Sequence, residues 1–205
     1  MVMRRAACAA LMLGLIASAS AQRAPGTPNV PHPSGFPEAA LRSATKAELA
    51  KVTITRDVVY GHKDGLALTY DVFRPKKANG ALVINIVSGG WRSEWAAPED
   101  RLPRYTTLTD KGFTVVSLRH GSATRYNVLD ASADIRRATR FIKMHAKDYG
   151  ADPARIGVWG ASAGGHLALV AGLMADDGDK TATDPVLQQE NHLKAVVAYY
   201  PPADL

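Results

Sequence analysis

Residues 158–168 read Val-Trp-Gly-Ala-Ser-Ala-Gly-Gly-His-Leu-Ala, a Gly-x-Ser-x-Gly motif centred on Ser162. A short apolar run precedes the motif, and small and apolar residues at helical spacing follow it. A serine hydroxyl is a useful nucleophile only when a sharp turn exposes it to substrate and to a base. The motif glycines lack Cβ atoms, so a strand and a helix can pass close to the serine. The stretch therefore predicts a strand, a sharp turn that carries a nucleophilic serine, and a helix. The alternative is a tight strand–helix turn in which the serine has no catalytic role.

Apolar runs on either side of this turn predict further strands, at residues 81–87, 113–118 and 193–199. Such runs are typical of strands buried on both faces of a parallel sheet. Upstream, residues 51–60 and 66–74 predict an antiparallel hairpin with its turn at 61–65. Together with the predicted helices, this order indicates a three-layer α/β sheet, mostly parallel after an N-terminal hairpin.

Two helices are predicted between these strands, one from about Pro98 and one over residues 129–149. The second helix carries an apolar stripe, and its opposite face is rich in arginine and lysine. We expect that basic face to be solvated. The aspartates that follow the helix after Ser162, at positions 176, 177 and 179, predict a solvated turn rather than a cation-binding loop.

The N-terminus has the features of a targeting segment. A basic start, an apolar run and Ala-Ser-Ala at 19–21 predict a secretory signal peptide over residues 1–21, cleaved after Ala21, with an uncleaved anchor as the alternative. We therefore expect a secreted or periplasmic protein with no membrane association after cleavage. The proline-rich residues 22–45 predict an extended linker, and residues 46–205 the folded domain. Cys8 lies in the predicted signal, so no disulfide is expected.

Composition narrows the classes of function. The 205 residues include 25 Lys and Arg and 19 Asp and Glu, a formal net charge of +6. The basic residues are scattered among acidic ones, and no basic block with interleaved aromatic residues indicates nucleic-acid binding. The sequence holds no phosphate-binding loop, dinucleotide fingerprint or histidine-based metal motif, so neither a cofactor nor a metal is predicted.

Four stretches meet at one edge of the predicted sheet: Gly89-Gly90, Arg119-His120, Ser162 and residues 202–204. Each follows the carboxyl end of a predicted strand. Ligands of open α/β sheets bind at that edge. The edge is therefore the predicted site.

The chain resembles secreted bacterial α/β-hydrolases of the esterase and lipase type, especially feruloyl-esterase-like and acetyl-xylan-esterase-like enzymes. The resemblance covers about residues 52–205. It rests on the Gly89-Gly90-Trp91 turn, on Tyr-Gly-Ala-Asp-Pro at 149–153, on Arg-Ile-Gly at 155–157 and on residues 160–168.

The resemblance implies a role for several residues. Ser162 is the expected nucleophile, and the backbone amide of Ala163 is one expected oxyanion donor. The amides of Gly89 and Gly90 are the others. The remaining residues expected to line the site are Trp91, His120 and Asp204.

Two departures from the family pattern bear on these roles. The usual turn is His-Gly-Gly-Gly, and here Val87 and Ser88 take its first two places. The triad order in this fold is serine, acid, histidine, whereas only Leu205 follows Asp204. We therefore expect this sequence to be the N-terminal two-thirds of the enzyme, lacking the last strands and the triad acid and base, with little or no turnover. His166 is expected to pack rather than to act as the base.

The function expected from the resemblance is hydrolysis of carboxylic esters, either small molecules or acyl esters linked to plant polysaccharides. A non-catalytic remnant that binds carbohydrate or a protein partner is one alternative, and a prolyl-oligopeptidase-like peptidase is another. The particular ester and the oligomeric state are left open by the sequence.

Overall fold

The computed structural model describes residues 41–203; the predicted signal peptide, residues 22–40 of the predicted linker, and Asp204 lie outside the described residues. In chain order the elements are α1 (Lys46–Leu49), β1 (Val52–Lys63), β2 (Leu66–Pro75), β3 (Gly80–Ile86), α2 (Pro98–Thr109), β4 (Thr114–Leu118), α3 (Val128–Met144), a short 3-10 helix (Ala146–Tyr149), β5 (Ala151–Ala161), α4 (Ala163–Leu173) and β6 (Ala195–Tyr199). Within this part of the chain, no helix combines the length and apolarity needed to cross a bilayer.

The strands form one six-stranded sheet in the order β1-β2-β4-β3-β5-β6. β1 pairs with β2, and β2 with β4, in antiparallel register. The remaining neighbours, from β4 through β3 and β5 to β6, are parallel. This topology confirms the predicted α/β class and its N-terminal hairpin. It also brings the carboxyl ends of four strands to one edge, as expected for parallel neighbours.

Apolar side chains cover both faces of the sheet, because successive residues of a strand point to opposite sides. On one face, Ile84, Val116 and Val158 pack with the buried stripes of α3 and α4. On the other face, Phe73 and Val115 pack with Tyr105 and Leu102 of α2. The result is the predicted three-layer arrangement, with the sheet in the middle.

The hairpin turn is tighter than predicted. β1 continues through Lys63, which pairs with Leu66, so the turn comprises Asp64 and Gly65 rather than residues 61–65. Both turn residues have positive φ, 47° and 78°. Two-residue hairpin loops favour this left-handed backbone because its twist matches that of the flanking strands.

The folded domain begins before the predicted boundary at residue 46. The Ala44 amide donates to the Glu99 carbonyl at 2.9 Å, and the Ser43 hydroxyl donates to Asp100 at 2.6 Å. Thr45 caps α1 in a reciprocal pair of hydrogen bonds with Glu48. The last residues of the predicted linker thus attach to α2 and start α1.

The expectation that the basic face of α3 is solvated is wrong. Residues 174–194, which we call the acidic excursion, lie against that face through ion pairs. Arg136 and Arg140 both bind Asp176, and Arg137 binds Asp184 at 2.5 Å. The 174–194 segment therefore joins the domain through Asp176 and Asp184, while Asp177 and Asp179 are exposed, as expected of a solvated turn.

The ion pairs lower the pKa of Asp176 strongly. The hydrogen bond from Arg140, with smaller contributions from the Gly178 amide and Arg136, lowers the pKa of its carboxyl to about 2. A carboxyl whose pKa falls on folding stabilises the fold at pH values above its unfolded pKa. That contribution is lost as the pH falls through the folded pKa.

We expect Asp176→Asn to lower the free energy of unfolding by about 1 kcal/mol near pH 6, since the partly exposed pairs form a small network. The difference from wild type should shrink as the pH falls from about 4 towards 2, where Asp176 becomes protonated. Urea unfolding at several pH values measures both effects. A gap between the two proteins that stays constant down to low pH would contradict this role of the Asp176 charge.

Candidate active site

Ser162 lies at the sharp turn between β5 and α4. Its backbone has φ 51° and ψ −125°, a conformation that non-glycine residues rarely adopt. The Ser162 amide donates to the Tyr199 carbonyl at 3.0 Å, and its carbonyl accepts from the His166 amide at 3.0 Å. The strained residue is therefore fixed on one side by β6 and on the other by the first turn of α4.

Close backbone packing explains the glycines of the motif. An added Cβ on Gly160 would lie 2.2 Å from the Gly164 carbonyl oxygen, and one on Gly164 would lie 2.8 Å from the carbonyl oxygen of Ile86. One on Gly165 would lie 2.9 Å from the carbonyl of Tyr199. Any side chain at these positions would push the helix away from the sheet. The sequence-based explanation of these glycines is thus consistent with the packing.

The N-terminus of α4 points its first amides to the same edge. Ala163 is the first helical residue and is buried. The first four amides of an α-helix have no intrahelical acceptor, and the helix dipole places partial positive charge there. The Ala163 amide is therefore placed where a developing negative charge next to Ser162 would be stabilised.

The turn after β3 packs against this helix, and one of its predicted oxyanion donors, the Gly89 amide, is already hydrogen-bonded within the turn. The amides of Gly89 and Arg92 each donate to the other's carbonyl, at 2.9 and 3.0 Å. The Gly89 amide is therefore not free to bind an oxyanion in this conformation, contrary to the sequence-based expectation. The Gly90 amide takes no part in this bridge, and Gly90 has φ 53°.

Trp91 and His166 are neighbours, with ring centroids 6.0 Å apart in an edge-to-face arrangement. The indole packs against the core cluster beneath α3 and α4. The Trp91 carbonyl accepts from the Ala123 amide at 2.9 Å, which ties the turn after β3 to the loop after β4. His166 therefore packs on the turn, as the sequence predicted.

His120 is buried at the end of β4, with 5% of its surface exposed. Its Nδ1 donates to the Gly121 carbonyl at 2.7 Å, so the ring presents Nε2 as an acceptor. Burial lowers the pKa of the imidazole, more than the hydrogen bond to Gly121 raises it. The lowered pKa favours the neutral imidazole, whose Nε2 is buried without a hydrogen-bond partner among the described residues.

Sequence reasoning missed a buried ion pair beneath this loop. Arg119 binds Asp71, which is fully buried, and also Asp57 at 2.9 Å. Arg119 also donates to the Thr69 hydroxyl at 2.8 Å, and its carbonyl accepts from the Tyr60 hydroxyl. These bonds join β1 and β2 to the start of the loop that carries His120. The sequence feature that could have indicated this ion pair is the single arginine, Arg119, directly after the apolar strand.

The other described histidines lie at places in the fold where they cannot act as the general base for Ser162. His145 binds Asp148 at the end of α3, and His192 binds Asp177 in the acidic excursion. His62 lies in β1, at the hairpin. Among residues 41–203, no histidine ring hydrogen-bonds to the Ser162 hydroxyl. Within the same range, no group of three or more potential ligand side chains is arranged to hold a metal. Asp204 lies outside this range.

Residues 70–205 match the family described as BD-FAE. Among curated proteins, esterase LipQ of Mycobacterium tuberculosis is 29% identical over 187 residues, covering 85% of this chain and 43% of LipQ. Esterase LipC of the same organism is 30% identical over 150 residues, covering 71% of this chain and 36% of LipC. The chain thus spans less than half of these curated relatives.

Among solved structures, a truncated carbohydrate esterase from gut microbiota matches with a TM-score of 0.61 at 23% identity, covering 80% of this chain and 61% of that one. An acetyl ester-xyloside bifunctional hydrolase from Caldicellulosiruptor lactoaceticus matches with a TM-score of 0.59 at 24% identity, covering 69% and 55%. At this identity the likeness concerns the fold, which is that of the α/β-hydrolase esterases.

Proposed function

The chain belongs to the BD-FAE family and has an α/β-hydrolase fold of the esterase type, and from that premise we propose that it is a serine hydrolase of carboxylic esters with Ser162 as its nucleophile. One observation carries the proposal. Ser162 stands in a strained conformation with φ 51°, between β5 and the N-terminus of α4, where its Oγ can attack and the Ala163 amide can bind the resulting oxyanion.

In the proposed reaction, the triad base takes the hydroxyl proton of Ser162 while the Ser162 oxygen bonds to the ester carbonyl carbon, and the carbonyl oxygen becomes an oxyanion. The Ala163 amide donates to it, and the Gly90 amide is the second donor. The Gly89 amide joins only if its bridge to Arg92 opens. Collapse of this intermediate breaks the bond to the alcohol oxygen, which receives the proton back from the base, and leaves an acyl-serine. Water then hydrolyses the acyl-serine to the carboxylic acid and free Ser162. Each oxyanion donor is worth about 3–4 kcal/mol in such enzymes.

For the substrate, we propose acyl esters linked to polysaccharides. Support comes from two structural neighbours, whose names describe a carbohydrate esterase and an acetyl ester-xyloside hydrolase. A secreted or periplasmic location fits such a substrate, and the signal-like residues 1–21 favour it.

We further propose that the acid and the base of the triad lie outside residues 41–203. Support comes from the histidines of this range, since none of their rings hydrogen-bonds to the Ser162 hydroxyl and two of the rings already bind aspartates elsewhere. Without a base the Ser162 hydroxyl stays protonated and reacts slowly.

The test is an ester assay on the polypeptide of these 205 residues. With p-nitrophenyl acetate and butyrate we expect turnover more than about 10⁴-fold below that of a complete triad, and equal to that of a Ser162→Ala control. Turnover by the 205-residue polypeptide that Ser162→Ala abolishes and His32→Ala leaves intact would place the base within residues 41–203 and contradict the proposal.

A further inference from the structure

Trp95 is a large apolar side chain in an unusual position. Its surface is 64% exposed, on the connection between β3 and α2 that follows the Gly89-Gly90 turn. Trp91, four residues earlier, contacts His166 in the first turn of α4. Four residues of chain span at most about 14 Å, so Trp95 lies no farther than that from Trp91, on the segment that continues from the turn beside α4.

The backbone on either side of Trp95 is fixed. The Ser93 amide donates to the Ser122 hydroxyl at 2.9 Å, and the Ser93 hydroxyl donates to the Val87 carbonyl at 2.6 Å. The Glu94 carbonyl accepts from the guanidinium of Arg101, which is 4% exposed. The exposed indole is therefore held on an anchored segment, which lowers the entropy lost when it binds a ligand.

The surroundings of the indole favour one kind of ligand. Arg92 and Glu94, on the same short segment, are both exposed, so the segment that carries the flat apolar ring also carries hydrogen-bonding side chains. A pyranose ring has the matching chemistry, because its C–H face is apolar and its rim carries hydroxyls. Stacking the two faces removes apolar surface from water while the rim hydroxyls keep polar partners.

We propose that Trp95 is the stacking platform for a pyranose ring of the substrate, next to the ester that Ser162 attacks. This inference rests on the proposed function, because it assumes that Ser162 attacks an ester. It assigns to Trp95 the selection of esters that are linked to a sugar. Trp95 contacts the alcohol part of the ester and takes no part in the chemistry, so it governs binding rather than the reaction of the bound ester.

The test is a titration of the isotopically labelled 205-residue chain with xylohexaose, followed by the indole N–H signals of its three tryptophans. The signal that Trp95→Phe removes should shift on binding. Trp95→Ala should weaken the dissociation constant about tenfold or more, and Trp95→Phe by about threefold or less. Because the side chain is exposed, the thermal midpoint of Trp95→Ala should stay within about 2 °C of wild type.

Leu129 provides the matched control. It is 79% exposed on α3, after the loop that Ser122 and Ala123 join to the Trp95 segment. Leu129→Ala should leave the affinity for xylohexaose within about twofold of wild type. An equal loss in Leu129→Ala and Trp95→Ala would overturn the proposal, as would no binding of xylohexaose to the wild-type chain.

A second ligand separates sugar from an aromatic acyl group. If Trp95→Ala weakens binding of methyl ferulate but leaves binding of xylohexaose unchanged, the indole serves an acyl ring and the sugar assignment is wrong. The titration requires no turnover. A failure of Ser162 to act as nucleophile therefore leaves its result intact, and the two proposals can fail separately.

Discussion

Arg119→Met should lower the free energy of unfolding by about 3–5 kcal/mol, as expected when one partner of a buried ion pair is removed. Methionine retains the apolar stem of the side chain but leaves the Asp71 carboxylate without its cation. Asp71 is fully buried and cannot turn to solvent for compensation. The change also removes the bonds from Arg119 to Asp57 and to the Thr69 hydroxyl. Urea unfolding followed by circular dichroism measures the loss.

The exposed pair between Lys51 and Asp110 is a matched control, with side chains 60% and 51% exposed. Lys51→Met should cost less than about 1 kcal/mol. Combining Arg119→Met with Asp71→Val should recover most of the loss, because no buried charge is then left unpaired. Equal losses in Arg119→Met and Lys51→Met would show that burial of the Asp71 pair has no energetic consequence, which contradicts the account.

Gly160→Ala is the second change with a large expected effect. The new methyl carbon would lie 2.2 Å from the carbonyl oxygen and 2.3 Å from the carbonyl carbon of Gly164. Both are helix backbone atoms, so no side-chain rotation can relieve the overlap, and α4 must move away from β5. We expect a loss at the upper end of overpacking costs, about 3 kcal/mol in free energy of unfolding.

A glycine with open space around it separates this overlap from the general effect of adding a methyl group. A Cβ on Gly89 would meet no atom within 4 Å. Gly89→Ala should therefore change the free energy of unfolding by less than about 1 kcal/mol in the same urea experiment. If Gly160→Ala and Gly89→Ala lower the free energy of unfolding equally little, the close approach of β5 and α4 at the Ser162 turn is contradicted.

Local periodicity was enough to predict most of the fold. The apolar runs that became β3, β4 and β6 were visible because strands of a parallel sheet are apolar on both faces. The Ser162 turn was visible because its geometry needs glycine at both 160 and 164, and their order along the chain placed the turn at the carboxyl edge of the sheet.

Most of the features that sequence reasoning missed depend on contacts between distant residues. The pairing of Arg136 and Arg140 with Asp176 joins residues about 40 positions apart, and periodicity on α3 alone could show only a polar face. Arg119 and Asp71 are 48 positions apart, and each resembles a solvent-facing charge when considered alone. The Gly89–Arg92 bridge is local, but a Gly-Gly pair does not specify which amide stays free.

The most direct test of the central claim uses the protein isolated from its native source. It should be treated with a fluorophosphonate, from which an activated serine displaces fluoride to form a stable phosphonyl ester. Mass spectrometry of the tryptic peptide 156–180, which contains Ser162, then locates the adduct. The account predicts the adduct on Ser162, with loss of ester hydrolysis in proportion to labelling. Hydrolysis that is blocked while peptide 156–180 stays unmodified would place the nucleophile elsewhere and contradict it.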